Sequence, residues 1–264
     1  MPKVSVIIPC YNYGQYLDEA VGSVLAQTFD DFEIIIVNDG STDPYTNELL
    51  AGYDKPRTRV ITTTNSGVAS ARNTGIAAAG GTYILPLDPD DRIAATYLQK
   101  GVATFNEHPE CGIVYSHAEF FGARRGRLNF KPYRLENILL GNCICSAAIF
   151  RKSDWEKAGG YNANMTHGLE DWDFWLSLIE AGAEPCLIPE TLLYYRIKEQ
   201  SRSTELMKHH RVEMYARIYE NHQQLYDRNI RLLAGRLCAY EDITNSLPYR
   251  IAQRIAGILK WLEP

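Results

Sequence analysis

The sequence has no basic surplus: its 264 residues set 27 lysines and arginines against 32 aspartates and glutamates, a formal charge of -5. Binding a phosphate backbone needs a positive field, so nucleic-acid recognition is excluded as the main function. No apolar run approaches the roughly 20 residues that cross a bilayer, and Val4 enters a strand-like pattern with no basic region or long apolar segment before it. A protein made and kept in the cytosol is expected. Metal and redox cysteine spacings are missing too. Of Cys10, Cys111, Cys143, Cys145, Cys186 and Cys238 only Cys143 and Cys145 stand close together, and reduced thiols in apolar surroundings are expected. The histidines show no ligand spacing. His209-His210 is assigned to a solvated helix, and His167 remains a candidate acceptor contact.

What the sequence does have is alternation. Val4 to Pro9 is a continuous apolar run, the pattern of a parallel strand buried on both faces. After a polar turn, Leu17, Ala20, Val21, Val24 and Leu25 recur at helical spacing. Glu33 to Val37 and Arg59 to Thr63 read as further strands, with Pro44 starting a short helix and a small-residue helix running from about Val68 to Ala79. Tyr83 to Leu87, preceded by Gly80-Gly81, is the fourth strand. Strands alternating with helices argue for an α/β fold with a parallel sheet. Further on, a helix from about Ala95 to Phe105, a strand from Gly112 to His117, and an irregular loop or hairpin from Glu119 to Asn142 are expected. Cys143 to Phe150 reads as a strand and Trp155 to Gly160 as the end of a short helix. Pro185 to Ile188 and Leu192 to Tyr195 both look strand-like.

The fourth strand breaks into Asp88-Pro89-Asp90-Asp91, which puts three acids at its carboxyl end, where open α/β sheets bind ligands. Such acids repel one another unless a cation or a set of hydroxyl donors lies between them, and hard oxygen ligands suit Mg2+ or Mn2+. An acidic turn capping the next helix is the alternative. Asp39, at the end of another strand, suits a carboxylate accepting from a nucleotide base or ribose, and Arg72 a phosphate contact or a surface salt bridge.

Four ordered stretches resemble a known family: Val4-Ser5-Val6-Ile7-Ile8-Pro9-Cys10-Tyr11-Asn12, Val37-Asn38-Asp39-Gly40-Ser41-Thr42-Asp43, Asn65-Ser66-Gly67-Val68-Ala69-Ser70-Ala71-Arg72-Asn73, and Asp88-Pro89-Asp90-Asp91. Together they are similar to the family 2 glycosyltransferases of GT-A fold, over about residues 3 to 200. The resemblance implies a mixed sheet with a Rossmann-like nucleotide-binding part, flanked by helices. It places Pro9, Tyr11, Asn12 and Arg72 in the nucleotide site, Asp39 on the base (normally uracil), Asp88 on the ribose, and Asp90 on a divalent Mg2+ or Mn2+ bridging the diphosphate. Asp91 receives no role. Glu170-Asp171 resembles the family's acidic pair, with Asp171 as general base; a carboxylate within ~3 Å of an acceptor hydroxyl takes its proton as attack develops. Capping of the following helix is the plainer reading of Asp171, and core packing that of Trp172. One position departs from the pattern. Two residues after Arg196, where many relatives carry a histidine near the diphosphate, stands Lys198, which does not ligate Mn2+ while charged but pairs directly with phosphate. Weak or conditional metal dependence is the expectation, with Arg196 and Lys198 in the nucleotide site.

The implied enzyme is an inverting hexosyl- or N-acetylhexosaminyl-transferase, moving a sugar from a nucleotide-sugar donor, normally a UDP-sugar, to a glycan or lipid-linked acceptor in surface polysaccharide synthesis. A sugar nucleotidyltransferase and a non-catalytic nucleotide-sugar-binding protein are the rivals. Residues 1–203 are assigned to the catalytic domain, with nucleotide and acceptor parts dividing near residue 105, and 204–264 to a helical extension. In Tyr249 to Leu262, Ile251, Ile255, Ile258, Leu259 and Leu262 share a helical face flanked by Arg250, Arg254 and Lys260. That face is expected to lie peripherally on the inner face of the cell membrane, or to pack on its own domain or a second copy in a homodimer.

Overall fold

The computed structural model describes residues 2–130, 132–198, 202–246 and 249. Its first half alternates strand and helix: β1 (Val4–Cys10), α1 (Gly14–Leu25), β2 (Phe32–Asp39), α2 (Pro44–Ala51), β3 (Thr58–Thr63), α3 (Val68–Ala78) and β4 (Tyr83–Pro86). Every residue of β1 is buried, as its unbroken apolar run requires. β1 pairs in parallel with β2 and β4, and β2 with β3. Asp43 caps α2 by accepting from the Thr46 amide at 2.8 Å, and Pro44 fills the first turn, where no amide donor is needed. α3 closes on the sheet through small residues; Ala69, Ala71, Gly75 and Ile76 are buried.

The second half follows as β5 (Arg92–Ile93), α4 (Tyr97–Glu107), β6 (Cys111–Gly122), β7 (Gly126–Leu128), α5 (Leu135–Ile138), β8 (Ile149–Arg151), α6 (Lys152–Ala158), α7 (Glu170–Glu180), β9 (Glu184–Ile197), α8 (Arg202–Asn221), α9 (Gln223–Arg228) and α10 (Ile230–Asn245). One mixed sheet results, ordered β3-β2-β1-β4-β8-β6-β9-β5 with β7 on β6. β8 runs antiparallel to β4 and β6, and β9 parallel to β6.

Three expectations change. Only Ile149–Arg151 of the segment after Cys143 joins the sheet; Ile144, Cys145, Ala147 and Ala148 are buried without a ladder, because small apolar residues suit a packed loop as well as a strand. The two strand-like runs near residue 190 are one strand. Ser116 faces Ile188 and His117 faces Thr191, so Pro189 and Glu190 are carried as a bulge, which tolerates the missing proline amide. Cys111 and Cys186, expected as thiols, form a disulfide with 5.9 Å between their Cα atoms, a pairing that 75 residues of separation conceal.

Met1–His222 forms one compact unit and Gln223–Pro264 another. α8, assigned from sequence to the extension, ends within the first unit. Its Met214 and Ile218 are buried, and His222, just beyond it, lies between Glu180 (Nδ1 to Oε2, 2.7 Å) and Asp173 (Nε2 to Oδ1, 3.3 Å). Apart from Tyr249, the amphipathic segment Tyr249 to Leu262 lies outside the described residues. No described helix is long and apolar enough to cross a membrane.

The Gly80-Gly81 turn yields a paired prediction. A Cβ on Gly81 would stand 2.6 Å from the Ser5 backbone nitrogen, a strand atom that cannot yield, whereas one on Gly80 would meet nothing closer than 3.4 Å. Gly81→Ala is expected to cost about 1–3 kcal/mol in urea denaturation. Gly80→Ala should stay within about 0.5 kcal/mol of the parent.

Candidate active site

Because β1, β2 and β4 are parallel neighbours, their carboxyl ends share one edge of the sheet. Asp39 ends β2 with 4% of its surface exposed. Its Oδ1 accepts from the Ser66 amide and its Oδ2 from the Gly67 amide, both at 2.9 Å, which fixes the turn entering α3. Asn12, at φ 59°, works similarly: Oδ1 accepts from the Thr42 and Asp43 amides and Nδ2 donates to Thr42 Oγ1. Asparagine tolerates that left-handed backbone because its short polar side chain bonds locally. Pro9 is buried within β1, and Tyr11 is half-buried just past it. These residues shape the strand-end loops, and Asp39 keeps lone pairs beyond those the two amides use.

The structure changes the reading of Arg72. Its side chain is 2% exposed, and its two terminal nitrogens donate to Glu170 Oε1 (2.6 Å) and Asp88 Oδ1 (2.8 Å). The guanidinium also lies over the Tyr161 ring at 5.3 Å. Both terminal nitrogens of the fork thus face acids, while its Nε has no hydrogen-bond partner among the described residues. Arg72 instead joins the end of β4 to the start of α7.

Arg196 also makes several contacts within the chain. Its amide donates to Asp91 Oδ1 (2.9 Å), its Nε to the Asp90 carbonyl (3.0 Å) and its Nη2 to Glu19, with the guanidinium over the Tyr16 and Phe121 rings. Asp91 is buried, and its Oδ2 finds no partner among the described residues. Burial, followed by the Asp88 and Asp90 charges, pushes its carboxyl well above the usual range. Lys198 sets its Nζ 2.8 Å from Asp90 Oδ2, donates to the Tyr13 hydroxyl and lies 4.0 Å over the Tyr13 ring. Burial alone would lower the lysine's pKa, but Asp90 and Tyr13 outweigh it and the net shift is upward.

These residues can be tested against the divalent ion expected on Asp90. Asp88 already faces Arg72, and Asp90 faces Lys198. A second cation on Asp90 would stand roughly 4 Å from the ammonium, where at an effective dielectric near 20 each pair of unit charges repels by about 4 kcal/mol. As placed, the ammonium already balances Asp90, and a divalent ion sharing that carboxylate would have to overcome this repulsion. Among the described residues a further ligand-type cluster, His167, His210 and Glu213, brings one donor atom from each within 4.8 Å of the others. Its imidazoles stack 4.2 Å apart and 6° from parallel, so their in-plane lone pairs do not converge on one ion.

The second acidic group opens α7. Leu169 and Gly168 at positive φ turn the chain into the helix, and Glu170, Asp171 and Asp173 occupy its first turn, where the helix dipole favours negative charge. Trp172 is core: it is buried and donates from Nε1 to the Ile138 carbonyl at 2.7 Å. Asp171 is held at both oxygens, Oδ1 by the Trp172 amide (2.8 Å) and Oδ2 by Asn142 Nδ2 (2.9 Å). Asn142 is itself fixed, since its Oδ1 accepts from the Ile144 amide. Burial, then the Glu170 charge, pushes Asp171 up to about 7, with Arg72 acting in the opposite direction. Asp171 and Asn142 help wall a pocket of about 180 Å³ whose other sides include Ala118, Phe120, Leu128, Phe130, Leu193 and Tyr195. Leu193 and Tyr195 alternate along β9 with Tyr194 and Arg196, which turn to the other face. Sequence reasoning missed Asn142, Tyr13 and Glu19. Asn142 sits in an irregular segment with no periodicity to mark it, and Glu19 reads as an ordinary exposed helix position.

The profile of glycosyl transferase family 2 matches residues 5–159. An uncharacterized glycosyltransferase of Haemophilus influenzae is 30% identical over 223 residues, which are 77% of this chain and 68% of that protein. Chondroitin synthase of Escherichia coli is 28% identical over 251 residues, 93% of this chain but 35% of the synthase, so the chain spans about a third of that relative's length. Among solved structures, S. aureus TarS 1–349 in complex with UDP-GlcNAc has a TM-score of 0.66 at 22% identity, over 87% of this chain and 73% of that one. The shared architecture is the GT-A fold.

Removing Arg72 leaves two neighbouring acids without their cation. Arg72→Ala is expected to lose about 3–5 kcal/mol in chemical denaturation. Arg72→Lys, a point charge able to serve one acid at a time, should recover only part of that loss.

Proposed function

The chain belongs to glycosyl transferase family 2, and from that premise we propose that it is an inverting transferase, taking the sugar of a UDP-sugar to a hydroxyl of a glycan or lipid-linked acceptor. The observation that carries the mechanism is Asp171, with both oxygens oriented, on the wall of a pocket large enough for part of an acceptor. A carboxylate pushed up to about 7 is a far better proton acceptor near neutrality than an ordinary aspartate. Asp171 takes the proton of the acceptor hydroxyl as its oxygen attacks the anomeric carbon. The bond from that carbon to the diphosphate breaks, the electron pair leaves with UDP, and a single displacement inverts the anomer. Tyr195 lies in the field of both acidic groups: burial first, then the Asp88, Asp91, Asp90 and Asp171 charges, raise its phenol. That coupling supports one cleft holding donor and acceptor together.

On the donor side, Asp39 accepts from the base through its remaining lone pairs, with Pro9, Tyr11 and Asn12 shaping the loop, and Asp88 meets the ribose. TarS has been solved with UDP-GlcNAc, and a relative is named chondroitin synthase; both support a UDP-linked hexosamine or hexose and polysaccharide assembly. Enzymes of this family commonly use a divalent metal. Mg2+ or Mn2+ on Asp90 is the form that use would take here, and Lys198 stands on the carboxylate it would need. Apart from the cation, the steps above rest on residues of the chain itself.

The test is UDP release on adding acceptor, followed across pH. The base acts when deprotonated, so kcat/KM should rise with pH and level off above about 7, whereas a base near the ordinary aspartate value of about 4 would give a flat profile there. Asp171→Asn is expected to lower kcat by about a hundred- to ten-thousand-fold while UDP still binds in calorimetry. Turnover within about tenfold of the parent, with chemistry rate-limiting, would hand the role to another acid.

A further inference from the structure

We propose that Lys198 is the resident cation of the diphosphate site, standing where a divalent metal would otherwise balance Asp90, so that a nucleoside diphosphate binds without metal and added metal competes with the lysine. The inference rests on the donor reading above and narrows it to how the diphosphate charge is met.

The strand-end acids are each supplied from within the chain. Arg72 serves Asp88, Lys198 serves Asp90, and the Arg196 amide serves Asp91. The three cations differ in what they have left to give. Arg72 is buried and shared between two carboxylates, and the Arg196 guanidinium reaches Glu19 through Nη2 and the Asp90 carbonyl through Nε. Lys198 faces one acid, keeps 21% of its side-chain surface exposed, and among the described residues uses two of its three N–H donors, on Asp90 and Tyr13. The third has no partner among the described residues and is the one to meet a phosphate oxygen.

The lysine is also fixed in place. Its ammonium is held by a carboxylate, a phenol oxygen and the face of the Tyr13 ring, contacts that strengthen as water is excluded. Tyr13 precedes α1 and Lys198 follows β9, so the contact closes two loops over the strand-end acids. A divalent ion on Asp90 would compete with the ammonium for the charge of the one carboxylate and meet its repulsion at close range. Metal and lysine are therefore alternatives.

The experiment is calorimetric titration of UDP into the full chain, in chelator and in Mn2+, beside Mn2+ uptake followed by electron paramagnetic resonance without nucleotide. In the parent, UDP affinity should differ by no more than about threefold between chelator and Mn2+, with weak uptake of Mn2+ alone. Lys198→Ala should lose about tenfold or more in UDP affinity in chelator, recover it with Mn2+, and take up Mn2+ about tenfold more tightly than the parent. Lys198→His, which offers an imidazole nitrogen, should behave the same way. Parent binding of UDP that vanishes in chelator would overturn the inference and leave the donor reading standing, as would a Lys198→Ala chain indistinguishable from the parent in both measurements. No UDP binding under any condition would remove the donor reading and this inference with it.

Discussion

A guanidinium with almost no access to water and a carboxylate on each side is the constraint on which the site depends. Arg72 leaves α3, the small-residue helix packed on β1 and β2, and reaches both the acid after β4 and the first acid of α7. A buried cation is tolerated only when its partners are in place, so the bridge requires the loop after β4 and the α7 turn to form together. It also bears on the charge of Asp171. Asp171 is raised by burial and by Glu170 and lowered by Arg72, and its proton affinity is the balance of groups that also hold the fold.

Much of this was legible in the residues. The apolar runs of β1, β2 and β4 mark buried parallel strands wherever they occur, and such strands place Asp39 and Asp88 to Asp91 on one edge with no other information. Glu170-Asp171 ahead of an apolar helix was legible in the same way. What stayed hidden depends on pairings far apart in the chain. A lone arginine in a small-residue helix looks the same whether it faces solvent or spans two acids, and its partners lie 16 and 98 residues away. Asn142 carries no local pattern, and its importance comes only from where α7 brings Asp171. The Cys111–Cys186 pair and the continuity of β9 past Pro189 follow from register, which composition does not encode.

The polar residues of the strand-end loops divide their work in a consistent way. Asn12 ties the loop after β1 to the loop after β2, and Asp39 ties the end of β2 to the entrance of α3. Each spends side-chain acceptors on backbone amides that would otherwise be unpaired. The loops are thereby shaped before any ligand arrives, which lowers the ordering cost of binding.

β9 carries two duties on opposite faces. Leu193 and Tyr195 wall the pocket beside Asp171, while Arg196 and then Lys198 turn to the acids after β4. With side chains alternating at every step, gaining or losing one residue near the end of this strand would exchange the two sets at a stroke. A substitution within one face leaves the other face in place. If the pocket takes the acceptor and the cation side the diphosphate, as proposed above, substitutions flanking the pocket change what is decorated while leaving the hold on the donor as it was.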